Sequence, residues 1–104
     1  MHIEAFYKMA EGARKRFPEG NEPFKMAARL LEECGEVAAE IHHWEDSGIK
    51  RQKRGEPSKE SLANELRQAM VCLFGIAAYY SVEAELEESV KRTVQRLKAE
   101  GLVE

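Results

Sequence analysis

Apolar residues recur at helical spacing along most of the chain, and no stretch alternates apolar and polar residues as a strand does. The first predicted helix carries one apolar stripe at 3-4-3-4 spacing, formed by Ile3, Phe6, Ala10, Ala13 and Phe17. Pro18, Gly20 and Asn21 then predict a break in the chain. We expect a second helix to begin at Pro23, because proline is well tolerated in a first helical turn.

The second predicted helix carries its own apolar stripe. Its members follow a 3-4-3-4-3 rhythm and are Phe24, Ala27, Leu31, Cys34, Ala38 and Ile41. This rhythm is typical of the seam along which the helices of a bundle pack. The pattern therefore predicts that this stripe faces other helices.

The same helix also concentrates negative charge in the stretch LLEECGEVAAE. Its four acidic residues are Glu32, Glu33, Glu36 and Glu40. At about 100° per residue, Glu33, Glu36 and Glu40 project to one side within roughly 60° of one another, and Glu32 stands at the margin. Apolar residues border this acidic side as well, namely Leu30, Val37 and Trp44. The charges form either a solvated surface or a site for a divalent cation.

Two further helices are predicted after a polar, basic connection at residues 45–57. The third helix is expected to begin near Ser58 or Ser61, either of which can cap it. Residues 69–80 are apolar all round, which is typical of a central, buried helix. The fourth helix is expected over residues 82–100. Together these elements predict an all-α bundle in a single domain, residues 1–104.

Composition narrows the possible functions. The chain has 104 residues, of which 43% are hydrophobic and 34% charged, with a net charge of −3. This negative balance does not favour a nucleic acid polymer as partner. No apolar run approaches the roughly 18 residues that span a bilayer, and the start lacks a signal-peptide pattern. We therefore expect a cytoplasmic location and no membrane, with Cys34 and Cys72 as small core residues.

Glu65 is unusual because it precedes the apolar part of the third helix by one turn. A carboxylate buried there without a partner would cost several kcal/mol or change its protonation state. Glu33 with Glu36, and Glu65 with Gln68, present oxygen atoms at i, i+3 spacing on two helices. If the two helices face each other, these oxygens supply ligands for a hard divalent ion such as Mg²⁺.

These residues resemble a known family. LEECGE carries the pattern Glu-Glu-x-x-Glu, and after a spacer NELRQAM stands where the family has Glu-x-x-Asp. Over about residues 20–96 the chain is similar to the MazG-like, all-α nucleoside triphosphate pyrophosphohydrolases, which include dimeric dUTPases, dCTP pyrophosphatases and phosphoribosyl-ATP pyrophosphatase. The resemblance implies a four-helix-bundle-type fold whose helices pack across a homo-oligomer interface, in a homodimer or homotetramer.

The resemblance also implies a reaction and its residues. Members hydrolyse a nucleoside triphosphate to the monophosphate and pyrophosphate with Mg²⁺, and Mn²⁺ is a possible substitute. The catalytic carboxylates implied for this chain are Glu32, Glu33, Glu36 and Glu65. Of these, Glu33, Glu36 and Glu65 would bind the metal, and Glu32 would bind a further ion or orient the attacking water.

Gln68 departs from the family pattern, because it stands where members have a metal-binding aspartate. An amide oxygen can coordinate Mg²⁺ but brings no charge, so Gln68 is expected to be a weakened fourth ligand. This departure leaves open a catalytically weakened or inactive member that acts as a nucleotide-binding or scaffold protein. A purely structural helical protein is a third reading.

Candidate substrate contacts lie at the end of the second helix and in the following connection. Trp44 borders the acidic side, where it either stacks on a nucleobase or packs in a core or interface. The basic residues of the connection are Lys50, Arg51, Lys53 and Arg54. They either close over the triphosphate or belong to a solvated loop. His42 and His43 point in different directions, so a zinc site is not expected.

Overall fold

The computed structural model describes residues 2–45 and 55–104. These residues form helices joined by short connections, and no strand occurs in them. The elements are α1 (Ile3–Arg16), a short 3₁₀ turn (Pro18–Gly20), α2 (Pro23–Glu45), α3 (Lys59–Tyr79) and α4 (Glu83–Ala99). The predicted all-α class is confirmed, and each predicted helix is present.

Helix α3 is the central element, and α2 runs antiparallel to it. Ser61 near the start of α3 donates a hydrogen bond to Glu40 near the end of α2, with the Oγ and Oε1 atoms 3.0 Å apart. Farther along α3, Cys72 lies near Arg29 of α2. Residue numbers rise on one helix as they fall on the other, so successive turns of α2 face successive turns of α3.

Helix α1 also packs against α3 through aromatic side chains. Phe74 stacks on Phe6 with ring centroids 5.0 Å apart, and it meets Tyr7 edge-on at 4.9 Å. One turn away the helices meet through small residues, because a Cβ on Gly75 would stand 4.0 Å from that of Ala10. The predicted apolar stripe of α1 is therefore the face that packs.

Side chains set the beginnings of two helices. Glu22 accepts hydrogen bonds from the backbone N–H groups of Phe24 and Lys25 at 2.9 and 3.1 Å. Ser58 is the N-cap of α3, and its Oγ accepts from the N–H of Ser61 at 2.9 Å. Such caps satisfy backbone donors that have no partner inside the helix. The prediction of a serine cap near Ser58 is confirmed.

The face of α2 that packs against α3 differs from the predicted one. Within this chain the apolar stripe points outward, with Phe24 84%, Leu31 75% and Ile41 53% exposed. The inward face instead carries Leu30 and Val37, which are half-buried, together with acidic residues of the predicted acidic side. The prediction that the stripe faces other helices is wrong for the isolated chain, because charged residues occupy the inner face.

The described part of the chain has a small buried apolar core. The only buried apolar residues among those described are Ala10, Ala69 and Ala77. Leu73 of α3 is half exposed, so the prediction that this helix is buried all round is wrong. The prediction of two core cysteines is wrong for Cys34, which is exposed, whereas Cys72 is half-buried.

Helix α4 departs sharply from α3 after a turn in which Ser81 adopts a φ of 56°. The start of α4 approaches α1, since burial and then the charges of Glu83 and Glu87 raise the pKa of Tyr7. No single described helix combines the length and apolar character needed to cross a membrane; α3 and α4 satisfy that criterion only as a pair, bent by 119°.

Candidate functional site

The structure brings carboxylates of α2 and α3 together. Burial raises the pKa of Glu65 above its ordinary value, and the negative charges of Glu36, Glu33 and Glu40 raise it further, as does a hydrogen bond with Glu36. Three of these residues come from α2 and one from α3. We call Glu33, Glu36, Glu40 and Glu65 the acidic cluster.

The acidic cluster lies partly inside the structure. Glu40 is 3% exposed, and Glu33 and Glu65 are half-buried. The Oε2 atoms of Glu33 and Glu65 are buried without a hydrogen-bond partner among the described residues. Like charges on buried oxygens repel strongly, and each oxygen also loses hydration. Of the two readings of the acidic stretch, the solvated surface therefore does not fit this inner part.

The donor chemistry of the acidic cluster fits a hard divalent cation. Carboxylate oxygens are the ligands that Mg²⁺ prefers, and the buried oxygens of Glu33 and Glu65 have no other partner among the described residues. However, no three His, Cys, Asp or Glu side chains in the described ranges already stand in metal-binding geometry. Binding therefore requires these flexible side chains to turn toward a common point.

The end of α2 is anchored beside the start of α3. His43 is 5% exposed, and its Nε2 lies 2.7 Å from the carbonyl oxygen of Gly55. Ser61 of α3 donates its hydrogen bond to Glu40, which lies one turn before His43 on α2. These contacts fix the register of α2 against α3, which determines the carboxylates of the two helices that lie opposite each other. Trp44 is half-buried at this end, and its predicted stacking on a nucleobase stays a prediction.

Other predicted site residues lie elsewhere. Glu32 is exposed and does not contribute to the pKa shift of Glu65. Gln68 is half-buried and lines a neighbouring cleft that none of the acidic cluster lines. The four basic residues predicted to contact substrate lie outside the described residues: Lys50, Arg51, Lys53 and Arg54.

That neighbouring cleft is a feature the sequence reasoning missed. It has a volume of about 320 Å³ and is lined by side chains of α1, α2 and α3, among them Arg16, Arg29, Arg67 and Gln68. We call it the arginine cleft. No one of these arginines stands out in its own stretch of sequence, so only the packing of the three helices against one another would have revealed the cluster.

Comparisons with models of protein families, with curated proteins and with solved structures give no match for this chain.

Proposed function

We propose that this protein is a Mg²⁺-dependent nucleoside triphosphate pyrophosphohydrolase whose metal site is the acidic cluster. The observation that carries the proposal is the approach of Glu65 on α3 to Glu36, Glu33 and Glu40 on α2. Burial raises the pKa of Glu65, and the charges of these three carboxylates raise it further. A divalent cation at that point offsets the mutual repulsion and gives the buried carboxylate oxygens a partner. The resemblance of LEECGE and NELRQAM to the MazG-like family supplies the reaction.

Each residue has a role under this proposal. Glu33, Glu36 and Glu65 would hold the cation, and Gln68 would offer it an amide oxygen after turning its side chain from the neighbouring cleft toward the cluster. A divalent cation held there would neutralise charge on the phosphate oxygens and lower the pKa of a water molecule bound to it. Glu32, which is exposed, positions the attacking water or a second ion from the edge of the site. Ser61 keeps Glu40 in place, so that its charge adds to the field at the cluster.

We also propose that the working form is a homo-oligomer. The exposed apolar stripe of α2, with Leu31 at its centre, lies on a different side of the helix from the acidic cluster. The isolated chain buries only alanines as apolar residues in its described part. A second copy of the same chain would cover the stripe and complete the core, because apolar burial drives association.

Pyrophosphate release tests the proposed activity. We expect the wild-type protein to release pyrophosphate from at least one member of a panel of nucleoside triphosphates with Mg²⁺ or Mn²⁺. Glu65→Gln should lose about a hundredfold or more, since even outer-shell changes at metal sites cost about 10- to 100-fold. Glu88→Gln, an exposed change on α4 with the same loss of charge, is the control and should keep full activity.

The second candidate function is a nucleotide-binding or scaffold protein without efficient chemistry, and Gln68 is the residue that favours it. The variant Gln68→Asp separates the two candidates, because it adds the charge that the family places there. Increased turnover in this variant supports the enzyme. No turnover by the wild type with any nucleotide, and none after Gln68→Asp, supports the scaffold.

A further inference from the structure

The arginine cleft lies between α1, α2 and α3, and its polar lining is cationic. Arg16 comes from the last turn of α1, Arg29 from α2, and Arg67 and Gln68 from α3. None of the residues that line it is acidic. Guanidinium groups stay protonated at any ordinary pH, so this cleft is positively charged throughout the physiological range.

The cleft arginines are not neutralised by the protein in its described part. The one ion pair within 4.0 Å there joins Lys15 to Glu11, on the outer surface of α1. Arg16, Arg29 and Arg67 therefore lack a carboxylate partner among the described residues. Three like charges converging from three helices repel one another, and an anion in the cleft converts this repulsion into attraction.

A second observation points to a ligand at the same place. Arg14 on α1 lines a smaller cavity of about 60 Å³, which shares Ala13, Phe17, Arg29 and Val71 with the arginine cleft. Its Nη1 atom is buried and has no hydrogen-bond partner among the described residues. A buried, charged donor without an acceptor is unfavourable, and its positive charge adds to the potential that favours an anion in the adjacent arginine cleft.

The cleft is next to the acidic cluster along both helices. Arg29 precedes Glu33 by about one turn on α2, and Gln68 follows Glu65 by about one turn on α3. One turn of helix rises about 5.4 Å, which is the scale of one or two linked phosphate groups. A chain of phosphates can therefore contact the arginines at one end and reach a cation held by the carboxylates at the other.

We propose that the arginine cleft binds the phosphate chain of an anionic ligand, as pyrophosphate or as the di- or triphosphate part of a nucleotide. Arginine suits this role because its planar fork donates two parallel hydrogen bonds to phosphate oxygens. The assignment of the chain to a nucleotide rests on the proposed function, and the preference for linked phosphates rests on the distance from the cleft to the acidic cluster, whereas the preference for an anion follows from the cleft alone. The cleft then sets the direction in which the chain lies across the acidic cluster.

Calorimetric titration with inorganic pyrophosphate and tripolyphosphate tests this proposal. The titrations use the full chain in EDTA at low ionic strength, so that no cation bridges the anion to the acidic cluster. Wild-type protein is expected to bind both probes, and Arg29→Gln and Arg67→Gln to weaken binding about tenfold or more, as expected for charge-assisted hydrogen bonds. Lys8→Gln makes the same charge change on the exposed surface of α1, outside the cleft, and should bind like the wild type.

Thermal unfolding provides the check on folding. The arginines of the cleft are exposed and their like charges repel, so Arg29→Gln and Arg67→Gln should unfold at the wild-type temperature or above it without anion. In the wild type, pyrophosphate should raise the unfolding temperature. Absence of binding by the wild type, or equal weakening by Lys8→Gln and Arg29→Gln, would overturn the proposal.

Failure of this inference is distinguishable from failure of the proposed function. Glu65→Gln should still bind pyrophosphate in EDTA, because the cleft does not use that carboxylate. If no nucleotide is hydrolysed while pyrophosphate binding still depends on Arg29 and Arg67, the anion-binding cleft is supported and the proposed hydrolase is not. If hydrolysis occurs and neither arginine affects KM or pyrophosphate binding, the proposed hydrolase is supported and the anion-binding cleft is not.

Discussion

At the scale of single residues, Glu65 links the sequence to the proposed chemistry. Its place before an apolar stretch indicates an unusual carboxylate, and the structure shows why: it faces the glutamates of α2. A carboxyl group whose pKa is higher in the folded than in the unfolded chain binds a proton more readily when folded. The folded state therefore loses stability as the pH rises from the ordinary pKa through the raised one.

The pH dependence of unfolding tests this linkage in metal-free protein. Glu65→Gln should remove the loss of stability that begins near the ordinary glutamate pKa. It should also stabilise the protein at neutral pH by about 1 kcal/mol, the lower end of the cost of one buried polar atom without a hydrogen bond, here Oε2 of Glu65. Urea unfolding at several pH values in EDTA measures the difference. Glu88→Gln is the control. If the free energy of unfolding changes with pH in the same way for the wild type and Glu65→Gln across this interval, the raised pKa of Glu65 is contradicted.

Residue-level prediction succeeded where local spacing determines which side chains share a helix face, and failed where partners come from elsewhere. Glu33 and Glu36 share a side of α2 by helical geometry alone. By contrast, Gln68 faces the arginine cleft because of how α1 crosses α3, and nothing in its own neighbourhood in the sequence indicates this. The clustering of the cleft arginines could not be predicted for the same reason.

At the scale of elements, the helix starts were predictable and the packed face of α2 was not. Ser58 caps α3 by a local rule that the sequence displays directly. The apolar stripe of α2 has the rhythm of a packed seam, yet α3 contacts the neighbouring face, which mixes Leu30 and Val37 with acidic residues. Hydrophobic periodicity identifies a face that needs covering, but it does not identify the element that covers it.

The register of α2 against α3 depends on a small number of polar contacts. Ser61→Ala removes the hydrogen bond to the buried Glu40 and should destabilise the protein by about 1 kcal/mol, the usual net contribution of one hydrogen bond. Ser89→Ala on the exposed surface of α4 is the control. Chemical denaturation measures both changes. An effect of Ser61→Ala no larger than that of the control would show that this contact does not hold the helices together.

At the scale of the whole molecule, the isolated chain is extended for its length. Its radius of gyration is 16.8 Å, whereas a compact domain of this size has about 13 Å. The bend of 119° between α3 and α4, which carries α4 away from α3, contributes to this shape. A chain of 104 residues is long enough for a core, but among the described residues every large apolar side chain is at least partly exposed, and the proposed homo-oligomer would cover some of them.

Self-association is therefore expected, and Leu31 should control it. Leu31→Lys places a charge at the centre of the apolar stripe and should shift the protein toward monomer by at least about tenfold in the dissociation constant, because burying an unpaired charge is unfavourable. Leu102→Lys, at an exposed leucine outside the helices, is the control. Sedimentation equilibrium measures the association. A wild-type protein that stays monomeric throughout the micromolar range would contradict the proposed homo-oligomer.

Binding of Mn²⁺, followed by the loss of its free-ion paramagnetic resonance signal, tests the central claim most directly. Wild-type protein should bind Mn²⁺ without nucleotide, because the phosphates of a nucleotide would themselves complex the ion and remove the free-ion signal. Glu33→Gln and Glu65→Gln, on separate helices, should each weaken binding by about tenfold or more, while Glu88→Gln should leave it unchanged. No bound Mn²⁺ in the wild type, or equal binding by all four proteins, would contradict a cation shared between α2 and α3.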